Sequence, residues 1–273
     1  EQLKGAIRNL SKDKNINPNS LLQMSLFEGF LEKLSRSEYQ DKFVLKGGLL
    51  ISSLIGVEMR STIDMDTTII GVPVNEANIK KIISEILDIP IDRDIIYTLE
   101  DLKPIREKDV YEDFSATIRC QYEKINAILK IDITTGDAIT PKEVMYKYPK
   151  IFDDGHIDIM AYPVETILAE KFETIISRNV FNTRARDYYD IYMLYKTCEV
   201  DKEVLKEAIE KTAKHRNTIN EMKEYDEIVD DISSDGKQME LWEQYKKLYA
   251  YADGIEFEEI LKVVEEIGKI AIR

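Results

Sequence analysis

Near residue 160 the spacing of apolar residues passes from mixed strand and helix periods to an almost wholly helical one, and that change limits what the chain can fold into. After the first forty residues, which read as helices with Leu21, Leu22, Met24, Leu26, Phe27, Phe30, Leu31 and Leu34 on one broad face between Asn19 and Leu34, short β-branched segments alternate with helical ones. Strands are predicted at Phe43–Leu45, Met65–Val72, Ile95–Leu102, Ser115–Tyr122 and Ala127–Thr134, with helices at Leu49–Ile55 and Glu76–Leu87. The stretch holding Gly136, Pro141, Pro149, Gly155 and Pro163 reads as a loop. Beyond it the period is helical, with helices predicted at Val164–Arg178, Ala185–Thr197, Lys202–His215, Trp242–Tyr251 and Glu256–Ala271. The expectation is an α+β chain: a mixed-sheet domain over 1–160 with N-terminal helices, then an α-helical domain over 161–273. No internal repeat or low-complexity tract interrupts it.

Composition narrows the function. With 44% hydrophobic residues among 273, the chain buries a real core. Its 52 acidic and 38 basic side chains give a formal charge of −14, so attraction of the whole molecule to phosphate backbones or anionic lipid is not expected. Residues 1–160 hold 27 acidic and 21 basic side chains, and residues 161–273 hold 25 and 17, so neither half is a basic arm. Contact with nucleic acid must be local or metal-bridged, and Arg60, Lys103, Arg106, Lys108 and Lys130 are candidates for a basic rim. Cys120 and Cys198 lack zinc-ligand spacing and read as buried, reduced thiols. The longest apolar stretch, Leu49–Val57, is too short to span a bilayer, so a cytoplasmic protein without membrane partners is expected.

The most informative residues are Lys46-Gly47-Gly48 and the run Arg60-Ser61-Thr62-Ile63-Asp64-Met65-Asp66. Positions i and i+2 of a strand face one side, so Asp64 and Asp66 would present two carboxylates together, which repel unless a cation joins them. Mg2+ suits such a pair, because it binds through one or two carboxylates plus substrate phosphates. Gly47 and Gly48, between a strand and a helix, leave room for phosphates to approach backbone N–H groups. Walker A spacing is absent. Taken singly, a Gly-Gly pair is an ordinary turn and Asp-x-Asp an ordinary solvated strand end; their order points to one nucleoside triphosphate site. Asp132 lies in Leu129-Lys130-Ile131-Asp132-Ile133-Thr134, opposite in facing to its isoleucines, and reads either as a third metal ligand or as half of a surface ion pair.

In the helical half, Lys171 and Arg178 stand two turns apart on one face, and Asp187 and Asp190 share a face. Lys171 suits a point charge on a triphosphate or a proton donor to pyrophosphate. Asp187 and Asp190 would orient Lys171 or Arg178, or hold a substrate hydroxyl; on periodicity alone all four read as helix-face ion pairs. Tyr188, Tyr189, Tyr192 and Tyr195 read as packing with rim hydroxyls, or as a surface for stacking a base. His156 and His215 have no ligand partners at i+3 or i+4 and read as solvent-facing or satisfied.

Lys46-Gly47-Gly48, Arg60-x-Thr62-x-Asp64-x-Asp66, Lys130-Ile131-Asp132-Ile133, Glu165-x-x-Leu168-Ala169-Glu170-Lys171 with Arg178, and Arg186-Asp187-x-x-Asp190 resemble the successive motifs of the AbiEii/AbiGii nucleotidyltransferase toxins, over about residues 42–197. The resemblance implies a polymerase β-like nucleotidyltransferase domain over 1–160 and a helical domain over 161–273 that closes the active-site cleft. It implies nucleotide transfer in a toxin–antitoxin or abortive phage-infection system, from an NTP (GTP in some relatives) to an acceptor hydroxyl, expected to be a tRNA 3′ end. Mg2+ is the implied cofactor and a separately encoded antitoxin the implied partner. Carried onto this sequence, Asp64, Asp66, Lys171 and Asp187 would be catalytic. Gly47, Gly48, Thr62, Lys171, Arg178 and Asp190 would bind nucleotide, and Asp64 and Asp66 would hold metal, with Asp132 added on the residue-level reading above. Leu49 stands where relatives usually carry Thr or Ser. Transfer to a protein hydroxyl, or a non-catalytic NTP-binding module that sequesters a partner, are the competing readings.

Overall fold

The computed structural model describes residues 2–60, 62, 64–105 and 113–272. Among them are α1 (Gln2–Lys14), α2 (Pro18–Ser35), β1 (Phe43–Lys46), α3 (Gly47–Ile55), β2 (Met65–Ile69), α4 (Glu76–Asp88), β3 (Ile96–Pro104), β4 (Phe114–Tyr122), β5 (Ile125–Thr134), β6 (Val144–Pro149) and β7 (His156–Ala161). They continue with α5 (Val164–Arg178), α6 (Ala185–Thr197), α7 (Lys202–Arg216), α8 (Ile219–Lys223), α9 (Tyr225–Ser234), α10 (Gly236–Leu248) and α11 (Phe257–Ile272). The chain divides into two compact units: residues 1–137 with 144–161, and residues 138–143 with 162–273.

The first unit is built on a mixed seven-stranded sheet of order β3-β4-β5-β2-β1-β7-β6. Strand β1 runs antiparallel to β2 and parallel to β7, and β2 runs parallel to β5. Alternation explains the layering: Phe114, Ala116, Ile118 and Cys120 of β4 and Leu129, Ile131 and Ile133 of β5 are buried, while the residues between them are more exposed. Helix α2 begins where Asn17 accepts a hydrogen bond from the Asn19 N–H and Pro18 supplies a helix-ready φ, and it buries Leu21, Met24, Phe27, Phe30 and Leu31. Asn75 caps α4 in the same way, and Ile79, Ile82, Ile83 and Ile86 form its buried face.

The second unit is helical. Leu168, Phe172 and Ile176 of α5, Ile191 and Leu194 of α6, Leu205 and Ile209 of α7, Trp242 of α10 and Ile260 and Val264 of α11 are all buried. Asp201 caps α7 by accepting from the Glu203 and Val204 N–H groups. No helix among the described residues is long and apolar enough to cross a membrane.

Several expectations are corrected. The segment read as loop contains β6 and β7; β7 alternates cleanly, with Ile157, Ile159 and Ala161 buried, and joins β1, but Pro149 and Gly155 at its hairpin carry the signature of a loop. Strand β2 ends at Ile69, short of Val72, and begins at Met65, so Asp64 precedes the strand. Gly47 and Gly48 are the first residues of α3, which starts two residues early. Helices α8 and α9 had no counterpart in the sequence reading, and the helix expected at Trp242–Tyr251 runs from Gly236 to Leu248.

Candidate active site

The sheet aligns one polar row across five strands. Lys103 of β3 is in register with Ser115 of β4, Ser115 with Asp132 of β5, Asp132 with Asp66 of β2, and Asp66 with Lys46 of β1. Register partners on adjacent strands project to the same side, so Lys46, Asp66, Asp132 and Ser115 face together. Ser115 Oγ donates to Asp132 Oδ1 at 2.6 Å. Lys46 Nζ donates to Thr134 Oγ1 at 2.7 Å and is ion-paired with Asp137. Thr68 Oγ1 also donates to Asp137.

Asp66 is the centre of this row. Burial pushes its carboxyl above the usual carboxylate range; Lys46 and the Gly48 N–H, which it accepts from, pull it down, and the neighbouring charges of Asp132 and Asp64 push it up. The glycines make this possible. Gly47 has φ of +64°, the left-handed region, and a Cβ there would lie 2.1 Å from Asp66 Oδ2. A Cβ on Gly48 would lie 2.6 Å from Thr62 Oγ1 and 2.8 Å from an Arg60 guanidinium nitrogen. The start of α3 is thus seated against Asp66, Thr62 and Arg60. Arg60 Nη1 donates to the Gly48 carbonyl at 2.8 Å, and Ser52 Oγ donates to the Arg60 carbonyl at 2.6 Å. Thr62 Oγ1 donates to the Asp64 carbonyl at 3.2 Å, ordering the backbone of the exposed Asp64.

One site expectation changes here. Arg60 is buried, 3% exposed, and bonded to the glycine turn, so it is no part of a basic rim. Lys103 and Lys130 are exposed, Lys103 paired with Asp101, and Arg106 and Lys108 lie outside the described residues. Leu49 is buried in the core, so the side chain after the glycines points to packing.

The donor chemistry of the row, hard carboxylate oxygens around a desolvated Asp66, fits Mg2+. Among the described residues no three His, Cys, Asp or Glu side chains are gathered closely enough to hold an ion by themselves. The residues therefore fit an open site, in which one or two carboxylates share the ion with substrate phosphates, and not a closed protein cage.

In the second unit, Lys171 of α5 is bracketed by two carboxylates of α6: Nζ lies 2.6 Å from Asp187 Oδ1 and 2.9 Å from Asp190 Oδ2. Of the alternatives open in the sequence, the aspartates orient Lys171, while Arg178 is exposed at the end of α5. Asp187 and Asp190 are 2% and 0% exposed and Lys171 17%. Burial alone would lower the Lys171 pKa, but Asp190 and Asp187 more than reverse it and hold the ammonium above its ordinary value. Tyr188 and Tyr189 are packing residues, buried against Phe257 and against Tyr245 and Tyr251. Cys120 is buried, its thiol pushed up to about 12 by desolvation, and Cys198 is half-buried.

Lys46 stands in the Lys46-Gly47-Gly48 motif but carried no role of its own in the sequence, and Ser115 and Asp137 were missed as site residues. The sequence holds one trace of them: the alternation Asp66-x-Thr68 matches Asp132-x-Thr134, as two strands facing one polar strip require.

Comparison with known proteins bears on this arrangement. Two crystal structures share the fold: JHP933 from Helicobacter pylori, 18% identical with TM-score 0.51 over 94% of this chain and 95% of that one, and a candidate nucleotidyltransferase from H. pylori, 17% identical with TM-score 0.51 over 94% and 98%. No curated protein matches significantly. The sequence profile of the family described as "Nucleotidyl transferase AbiEii toxin, Type IV TA system" matches residues 29–263, most of the chain, and contains both the polar row and the Lys171 bracket. This chain belongs to the AbiEii nucleotidyltransferase toxins of type IV toxin–antitoxin systems.

Proposed function

We propose that this AbiEii nucleotidyltransferase transfers a nucleotide from an NTP, with Mg2+, to the 3′-hydroxyl of an RNA, in the first place a tRNA, and that its toxicity is restrained by a separately encoded antitoxin. The observation that carries the reading is the polar row: a desolvated Asp66, bonded by the Gly48 N–H, between Lys46 and Asp132. In the transfer the acceptor oxygen bonds to the α-phosphorus, the bond from that phosphorus to the bridging oxygen breaks, and pyrophosphate leaves. Mg2+ would be held by Asp64 and Asp66 together with the substrate phosphates, with Asp132 available as a third carboxylate, and would supply a lowered pKa for the attacking hydroxyl and charge neutralisation for the pyrophosphate. Asp132, steadied by Ser115, takes the hydroxyl proton. Gly47, Gly48 and Thr62 shape the backbone that meets the phosphates. Lys171, kept protonated by Asp187 and Asp190, serves as a fixed positive charge, because a raised pKa makes it a poor proton donor. Arg178, exposed at the end of α5, is a second cation for the nucleotide.

The test incubates the protein and total RNA with each of the four NTPs and Mg2+, followed by sequencing of RNA 3′ ends. Added nucleotides lost in Asp66→Asn support the reading. Label entering a protein pool while every RNA end is unchanged would replace the acceptor, and growth inhibition that survives in Asp66→Asn would end the catalytic account.

A further inference from the structure

Arg186 lies in the first turn of α6, one residue before Asp187, and is half-buried. A guanidinium taken from water needs compensating partners. Other arginines here find carboxylates: Arg93 bonds Glu28 and Glu32, and Arg216 bonds Glu173 and Glu170. Arg186 has no ion-pair partner among the described residues. Its neighbours are tyrosines: Nη2 donates to Tyr249 Oη at 3.2 Å, and the guanidinium carbon stands 5.6 Å from the centre of that ring.

Tyr249 in turn stacks on Tyr251, with centroids 5.3 Å apart and planes 24° from parallel. Unlike the buried Tyr188 and Tyr189, both keep part of their surface in solvent. The cluster adjoins the Lys171 bracket within the same unit. Tyr251 packs on Tyr189 of α6, and the buried Tyr245, hydroxyl to hydroxyl with Tyr251 at 3.1 Å, feels the charges of both Arg186 and Asp190.

A cation with no carboxylate beside a partly open aromatic pair matches one ligand chemistry, a flat base carrying a phosphate. We propose that Arg186, Tyr249 and Tyr251 form a subsite for one nucleotide unit, Arg186 holding a phosphate oxygen and the tyrosine pair stacking the base. The inference rests on the nucleotidyl-transfer reading and deepens it. The unit has two sources, the incoming NTP or the 3′-terminal nucleotide of the acceptor.

The experiment measures equilibrium binding and steady-state kinetics of the full chain with each NTP plus Mg2+, and with a single-stranded RNA oligonucleotide, for wild type, Arg186→Gln, Arg186→Lys and Tyr251→Leu. If the NTP occupies the subsite, Arg186→Gln and Tyr251→Leu raise Kd and KM for NTP about tenfold, leave kcat within about threefold, and leave RNA binding unchanged. If the acceptor occupies it, the RNA Kd rises instead, and Arg186→Gln reduces the slope of log affinity against log salt by about one. Arg186→Lys recovers part of the loss in either arm, because charge returns without the planar fork. Variants that melt like wild type yet bind NTP and RNA within twofold of it would overturn the subsite while leaving nucleotidyl transfer intact. A wild type that binds neither would overturn both. Tyr251→Leu, at a partly exposed position, carries the test if Arg186→Gln does not fold.

Discussion

Replacing Gly47 by alanine tests whether the glycine turn positions the carboxylate that the reaction needs. Two costs follow from the structure and can be separated. The first is conformational: at φ of +64° an alanine takes up the left-handed region, at about 1–2 kcal/mol. In a chain of this size that lowers Tm by roughly 2–6 °C. The second is displacement. Asp66 Oδ2 lies 2.1 Å from where the new Cβ would sit, against 3.4 Å for ordinary contact, so the carboxylate must retreat by about 1.3 Å. A misplacement of about 1 Å at a reacting centre costs on the order of 100-fold in rate, or about 2.7 kcal/mol of transition-state stabilisation.

The control is Gly254→Ala. Gly254 has φ of +79° and nothing within 4 Å of its would-be Cβ, so it shares the strain without the displacement. In a thermal melt Gly254→Ala should lose the Tm of the strain alone, and Gly47→Ala at least as much. In a transfer assay with labelled NTP and total RNA, Gly254→Ala should stay within about twofold of wild type and Gly47→Ala should fall by about two orders of magnitude. If Gly47→Ala melts like Gly254→Ala and still transfers within threefold of wild type, the close approach to Asp66 does not hold the reacting geometry and the argument fails.

Asp66→Asn should abolish transfer yet raise the Tm of the metal-free protein, since relieving a strained functional group typically returns about 0.5–2 kcal/mol. The sign follows from the raised carboxyl: its protonated form favours folding below the unfolded value of about 4, and that contribution is lost as pH rises through the folded value. The Tm gain should therefore shrink as pH is lowered through the raised Asp66 value, and a gain constant from pH 7 to pH 4 would contradict this account. Lys171→Met should destabilise by about 3–5 kcal/mol, because Asp187 and Asp190 are left buried without their cation, and adding Asp187→Asn and Asp190→Asn should recover much of it; denaturant melts decide. Calorimetric titration with NTP should show binding in Mg2+ and a loss of at least tenfold in affinity in EDTA, since Lys46 and Lys171 are already held by carboxylates; equal affinity in both buffers would count against a metal-bridged site.

How much of this was legible in the sequence depends on the range of the interaction that writes each feature. Helices α5 and α6 were readable to the residue, because an amphipathic period of 3.6 is a local signal that burial of Leu168, Phe172, Ile191 and Leu194 reinforces. Strand β6 was not: it lies at the sheet edge, with Val144 and Met145 exposed, so no alternating apolar pattern is demanded of it. The pairing of Asp66 with Asp132 is further from reach. It depends on β2 lying parallel beside β5, across 65 residues and against chain order, and no local rule supplies that register. The aspartates of α6 could be placed on one face from their spacing, but their choice of Lys171 over Arg178 was settled only by how α5 and α6 pack.

The formal charge of −14, which argues against attraction to RNA, takes on a different meaning beside these contacts. Lys46 is held by Asp137 and Lys171 by two aspartates, so the motif lysines stabilise the protein's own carboxylates before any substrate arrives. At a distance a triphosphate is drawn little by cations already matched, whatever contact Lys171 makes with it once bound, and Asp64, Asp66 and Asp132 repel it. Attraction must then come from charge that arrives with the nucleotide, or from cations without a carboxylate, and Arg186 and the exposed Arg178 meet that description among the described residues. On the proposed reading, an acidic chain of this design would be selective because it is unattractive to bare polyanions: RNA or nucleotide lacking a divalent ion would meet net repulsion, and a ligand that brings the ion to Asp66 would convert the same carboxylates from a barrier into a binding site.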